Sequence, residues 1–449
     1  MKARVLVCAL ASLLGTAPTF GQAPPPPGDV RGCQAAGCHD AFQGLPVRHA
    51  PLEGDGCDAC HVSTDEAKHA FDLTEKGAAL CTQCHDAQTG KSVHTPYADG
   101  DCTVCHDPHA SKSRALLIGD GEGALCASCH DDVTDDLKYL HGPLAAGTCT
   151  ACHQPHVAPH ASLLRVEGPG LCTGCHEALA ERMAQARKTH APVTESCTTC
   201  HHAHGGSHKL FLTAEGPGLC TDCHEEIGQR LAQAVTHDVA GTGSPCAACH
   251  DPHASAAEHL LLAEPQALCL GCHARELTTP SGAVSDIATH LRTHPNHHGA
   301  LEQGGCTSCH EPHGSAQIRL LTGNYPAGFY SSFSEDAYGL CFQCHEAEAF
   351  ADPTTDEATD FRNGTQNLHY LHVHRATKGR TCRACHDAHG SRGTSQIADF
   401  VRFGDWQLPI NFRSSEAGGF CQPGCHRPYS YDRHTPVDNL PPPSSPGTQ

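Results

Sequence analysis

A length of 449 residues would ordinarily make about three domains, yet only 5% of the chain is aromatic, while it holds 31 Cys and 39 His. Apolar side chains this sparse and scattered exclude large cores built from protein alone. The formal net charge of −20 disfavours nucleic acid and anionic membrane as partners, and leaves positively charged proteins or ferric minerals as the plausible contacts.

Residues 1–23 read as a secretory signal. Lys2 and Arg4 form its basic end, residues 5–14 its apolar run, and the small residues around Gly21 its cleavage region, with the cut favoured after Gly21 because Pro24 suits that place poorly. Cys8 falls inside this segment. No later stretch approaches the roughly 20 apolar residues of a membrane helix. The mature chain is therefore expected to be exported without a membrane span, to the periplasm, the outer membrane or the medium. Residues 24–32, which open on four prolines, form a stiff linker.

From residue 33 one pattern dominates. It opens irregularly with Cys33, Cys38 and His39, where four residues separate the cysteines. Thirteen regular Cys-x-x-Cys-His motifs follow. They are Cys57-Cys60-His61, Cys81-Cys84-His85, Cys102-Cys105-His106, Cys126-Cys129-His130, Cys149-Cys152-His153, Cys172-Cys175-His176 and Cys197-Cys200-His201. Then come Cys220-Cys223-His224, Cys246-Cys249-His250, Cys269-Cys272-His273, Cys306-Cys309-His310, Cys341-Cys344-His345 and Cys382-Cys385-His386. Cys421, Cys425 and His426 close the series with three residues between the cysteines. The fifteen motifs take thirty cysteines and leave only Cys8. Two cysteines one helical turn apart can form thioethers with the two vinyl groups of a haem, and the adjacent histidine then lies under the iron. The expected cofactor is about fifteen covalent haems c, with the motif histidines as proximal ligands.

The motifs alternate. One type follows Gly-Leu or Ala-Leu and opens a short polar helix; the other continues as His-x-Pro-His, or with Ala for Pro before His204 and His389, and is often followed by a Leu pair such as Leu116-Leu117 or Leu163-Leu164. The pair repeats about every 45 to 50 residues, as in an array of small units. Residues 33–280 form the regular array, with haems 1–11. Residues 281–440 form a looser region with haems 12–15, whose longer connections hold most aromatics and are expected to cover exposed haem edges; a hairpin is expected near 400–412, and 441–449 is expected to be disordered. The predicted fold is mostly irregular, with short α-helices and little β, an elongated repeat array whose core is its haems.

A second axial ligand is needed for each low-spin iron. Met183 is the only methionine beyond the start, so histidine must serve. One recurring set stands upstream of the second motif type: His49, His94, His141, His190, His237, His298, His374 and finally His434. The other comprises His109, His156, His204, His253, His313 and His389, with His69 as the substitute where Val62-Ser63-Thr64 replaces the Pro-His extension. His109 starts on the same side as His106 and cannot easily cross to the far face of that haem, so each such histidine is expected to serve a neighbouring haem. Nine histidines remain spare: His160, His202, His208, His259, His290, His294, His297, His369 and His372, with His294 or His297 able to exchange with His298.

The paired motifs, the His-x-Pro-His extension and the Leu pair resemble the doubled-CXXCH family of multihaem cytochromes and, more loosely, the decahaem cytochromes of periplasm and outer membrane. The resemblance implies covalent haems, bis-histidine ligation and electron transfer in the periplasm or beyond.

Zinc sites do not need a histidine directly after the second cysteine in every copy, and a disulfide scaffold leaves the histidines unexplained. A carrier of electrons in anaerobic or extracellular respiration is favoured over an enzyme. Its expected partners are an upstream quinol-linked cytochrome and a downstream reductase, outer-membrane conduit or metal oxide. The alternative is a reductase of nitrite, hydroxylamine or tetrathionate with one open iron, for which the sites at His39, His61 and His426 are the candidates. Donor, acceptor, haem potentials and oligomeric state are not encoded in these patterns.

Overall fold

Each regular motif from Cys81 onward closes one tight turn, because its histidine amide donates to the carbonyl of its first cysteine, as from His106 to Cys102 and from His224 to Cys220, both at 3.0 Å. That is the hydrogen bond of an α-helix, and it sets both thiols and the imidazole on one side. After Gly-Leu or Ala-Leu the turn lies in a short α-helix, as in Glu122–Ala127, Pro169–Thr173 and Pro265–Cys272, except at Cys341–Gln343, which is a 3-10 turn. In the other type it is a 3-10 turn, as in Cys102–Val104 and Cys246–Ala248.

The structure, a computed structural model, describes residues 33–34, 39–54, 56–237, 239, 245–279 and 282–439. The signal segment with Cys8, the proline-rich linker, Cys38 and the tail at 441–449 lie outside the described residues. The chain divides into two units, one made of 1–133 and 142–165, the other of 134–141 and 166–449.

In the first unit, the segment after His109 forms the two-residue strand Ala110–Ser111, which pairs antiparallel with Val47–Arg48, just before His49. Val157–Ala158 after His156 pairs in the same way with Ser92–Val93 before His94. The second unit repeats the device, with Lys188–Thr189 on Ala254–Ser255, Val235–Thr236 on Gly314–Ser315, and Tyr139–Leu140 on Gly205–Gly206. Gly205 is required there, since its φ is +147° and a Cβ would run into the Tyr139 carbonyl. Where the Pro-His extension is missing, His61–Asp65 instead forms a hairpin with Ala70–Leu73, and His69 occupies a left-handed position at its tip, φ 53°.

The Leu pair has a backbone purpose. The second Leu bridges back to the motif histidine, Leu117 to His106 and Leu164 to His153; a Leu does the same at His201, His250 and His310, and Ile397 at His386. Closing so short a loop forces two successive non-glycine residues to positive φ: Ala115 and Leu116 at 55°, Ser162 and Leu163 at 53° and 57°. Each such residue costs roughly 1–3 kcal/mol, so the surroundings must hold it in place.

Protein-only packing is thin. Among the described residues fourteen apolar side chains are buried, six of them alanines. One cluster, Ala398, Val401 and Ile410, packs with Phe329, Ile397, Leu408 and Phe412 in the second unit. It includes the hairpin Phe400–Phe403 with Trp406–Pro409, followed by the three-stranded sheet Phe412–Ser414, Gly418–Cys421 and Tyr429–Asp432. Elsewhere the architecture is short helices and two-stranded ladders joined by irregular chain. Among the described residues no helix is long and apolar enough to cross a membrane.

Candidate haem sites

The small sheets decide which histidines meet. Strand Val47–Arg48 delivers His49 and its partner strand follows His109, so the two histidines emerge side by side, with the His49 amide donating to the His109 carbonyl at 2.9 Å. They do not face each other. The His109 ring stands 6.1 Å from that of His61 with planes 8° apart, and the His49 ring 5.9 Å from that of His85 at 14°. One ladder thus supplies partners to two successive motifs.

The pattern continues in both units. In the first, His94 faces His130 at 6.1 Å and His156 faces His106 at 5.8 Å. In the second, His141 faces His176, His190 faces His224 and His237 faces His273, at 6.2, 6.0 and 6.3 Å. His253 faces His201, His313 faces His250 and His389 faces His310, at 6.1, 6.2 and 6.3 Å. His298, rather than His294 or His297, faces His345 at 5.9 Å. The tip residue His69 faces His39 at 6.2 Å. His204 stands beside His141, whose amide it accepts at 2.9 Å.

The separation fits one metal between each pair. With metal–nitrogen bonds of about 2.0 Å and each ring centre roughly 1.2 Å behind its nitrogen, two imidazoles on opposite sides of one metal stand about 6.4 Å apart. A direct stack in the same chain, His290 on His294, is at 4.1 Å.

Hydrogen bonds fix which nitrogen is free. The His106 Nδ1–H donates to the Ala115 carbonyl at 2.8 Å, His153 to Ser162 at 2.9 Å, and His250 to His259 at 2.8 Å. The same bond, nine residues along, recurs at His201, His310 and His386. Its acceptor is always the first of the two positive-φ residues, so the strained turn serves to aim a carbonyl. On the opposite side His49, His94, His141 and His190 donate to the carbonyls of Pro108, Pro155, Ala203 and Pro252 at 2.8–2.9 Å. A carbonyl only accepts, so Nδ1 carries the proton and Nε2 keeps its lone pair for a metal. Since the acceptor is backbone, Ala203 serves as well as proline.

Burial pushes the pKa values of His109, His156, His253 and His298 down, the neutral form a ligand must have. Some of the thiols are shielded as well. Burial and a neighbouring thiol push Cys126 up to about 12 and Cys220 to about 11.

The C-terminal region departs from the expected register. His374 does not face a motif histidine; its Nε2 donates to the Phe350 carbonyl at 3.0 Å and its ring stacks on Tyr370 at 4.1 Å. His434 is exposed and its backbone amide donates to Asp432. The helix Leu368–Val373 brings up two residues taken as spare. His372 faces His426 at 6.4 Å, with its Nδ1 donating to the Leu368 carbonyl at 2.6 Å. His369, bonded through Nδ1 to Thr359, is held at a pKa of about 3 by burial and by the nearby His386 and His372. The missed signal was local. His369 and His372 lie three apart in a segment opened by Asn367, whose side chain caps the helix by accepting from the Tyr370 amide.

Successive motifs touch. Cys81 lies beside Cys102, Cys126 beside Cys149, Cys220 beside Cys246, Cys269 beside Cys306, and Cys341 beside Cys382. Fold and sites together define a multihaem c-type cytochrome. Six copies of the doubled CXXCH motif match, at residues 49–90, 94–135, 141–181, 190–229, 237–278 and 298–350, and the chain belongs to that family. Each copy starts at, and so includes, the upstream histidine that the ladder positions. No curated protein matches the chain.

Ring orientation has a spectroscopic consequence. Ten of the thirteen facing pairs seen among the described residues lie within 7–23° of parallel; His106–His156, His298–His345 and His372–His426 are tilted by 48°, 45° and 35°. Parallel ligand planes split the iron dπ orbitals and crossed planes leave them nearly degenerate. Electron paramagnetic resonance of the oxidised protein should show a dominant rhombic low-spin envelope and a minor large-g component. A spectrum without the large-g component would contradict the tilted pairs.

Proposed function

We propose that this protein carries electrons along about fifteen bis-histidine haems c rather than transforming a substrate. Each haem supplies an iron that cycles between the ferric and ferrous states. The observation that carries the reading is the contact between the cysteines of successive motifs, which ties neighbouring attachment points together within each unit. The polypeptide orients many of the imidazoles through Nδ1 and supplies a histidine opposite most motif histidines. That ligand set leaves little room for a substrate at iron. Paired imidazoles also favour low potentials, since methionine is the ligand that raises them.

By the same reading His369 serves the site at His386 and His372 the site at His426, with His374 and His434 outside the ligand set. The protein would be exported and work in the periplasm or beyond, in anaerobic or extracellular respiration. Its partners would be a quinol-linked donor and a terminal reductase, conduit or mineral oxide, with basic surfaces favoured by its net charge of −20. The mature protein should contain about fifteen irons per chain, entirely low-spin and reducible in steps. A high-spin ferric signal that changes with nitrite or hydroxylamine would favour the reductase.

A further inference from the structure

The carbonyl acceptors of Nδ1 are the same in copy after copy, so they cannot make one haem differ from the next. One position does vary beside the facing histidines: the residue after the motif histidine in His-x-Pro-His. It is Asp107, Gln154, His202, Asp251, Glu311 and Asp387 in turn. Where it is acidic, its side chain folds back under the histidine two residues on. Asp107 Oδ1 accepts from the amides of His109 and Ala110 at 2.8 and 3.3 Å and lies 3.7 Å from His109 Nδ1. Asp251 repeats this with His253 and Ala254, its oxygen 3.6 Å from His253 Nδ1. Glu311 accepts from His313 Nδ1 at 3.2 Å, and Asp387 accepts from the His389 amide at 3.0 Å.

Each histidine so placed faces the motif histidine of another copy, so the carboxylate acts on a haem other than the one attached to its own motif. From the pairs above, Asp107 acts on the site at His61, Asp251 on His201, Glu311 on His250 and Asp387 on His310. Gln154 occupies the same place for the site at His106, through His156. A ferric haem carries one more positive charge than a ferrous one, so a carboxylate beside the axial imidazole stabilises the oxidised state and lowers the potential. Arg182 at 3.6 Å from Asp251, and Arg230 on Glu311, hold those carboxylates in place while weakening their field; His290 shares Asp387 at 3.2 Å.

We propose that the residue between the two histidines of each His-x-Pro-His segment is a positioning residue that sets the potential of the haem one repeat upstream. The acidic copies then make low steps at His61, His201, His250 and His310, and Gln154 makes a higher step at His106. This rests on the bis-histidine reading above and adds to it a pattern of unequal potentials along the chain.

The test uses the full haem-loaded protein, with redox titrations followed by electron paramagnetic resonance. Asp107→Asn keeps the oxygen that accepts the two amides and removes only the charge. It should move one component of the near-parallel low-spin envelope to higher potential, and Asp251→Asn should do the same in the second unit. Gln154→Glu, a side chain that position already tolerates as Glu311, should move part of the large-g signal to lower potential. Titrations superimposable on the unmodified protein, or shifts of opposite sign, would overturn the proposal. Iron content and the low-spin spectrum of the unmodified protein, measured alongside, report on bis-histidine ligation separately.

Discussion

Chain produced without haem attachment, or with each motif changed to Ser-x-x-Ser-His, should show no cooperative thermal transition, little helical circular dichroism and rapid proteolysis throughout residues 49–280. Fourteen buried apolar side chains among the described residues, almost half of them alanine, cannot offset the conformational entropy of ordering a chain this long. Two-residue ladders and four-residue helices are too short to persist unaided. The paired positive-φ residues at Ala115 and Leu116, and at Ser162 and Leu163, add strain that only a bound ligand behind the motif histidine would hold. Exposed apolar residues such as Leu210, at 73%, and Leu262, at 54%, are the surface that macrocycles would cover. Stability here is cofactor affinity, as in other small metal-dependent folds. A haem-free chain with a sharp unfolding transition would show instead that the polypeptide has a core of its own.

The second large effect is expected at His372. His372→Ala should convert about one haem per chain to a high-spin ferric state, and added imidazole should restore the low-spin spectrum. His374→Ala and His434→Ala should leave the spectrum unchanged. The contrast follows from the rings, since His372 stands 6.4 Å from His426, while His374 is bonded through Nε2 to the Phe350 carbonyl. Should His434→Ala produce the high-spin haem while His372→Ala does not, the C-terminal assignment is reversed. Taken with the carboxylate pattern at Asp107 and its counterparts, these variants separate what holds each iron from what tunes it.

The motifs and most facing histidines were legible in the sequence because both are local. A Cys-x-x-Cys-His turn needs only five residues, and a histidine three past the motif cannot cross its own haem, so His109 had to serve elsewhere. The hairpin at 400–412 was legible from its strand-forming residues. The sequence could not say which haem His109 would reach. A two-residue ladder between segments some sixty residues apart decides that, and alternation of side chains over two residues is too short to read.

By itself the sequence determined the attachment chemistry, the repeat and the supply of imidazoles, since each depends on spacing within one turn of chain. Tertiary structure alone decided that His69 meets His39 and His109 meets His61, and that in the aromatic C-terminal region it is His372 whose ring faces His426. There the long connections break the register, and the His374 ring packs on Phe333 and Tyr370 instead.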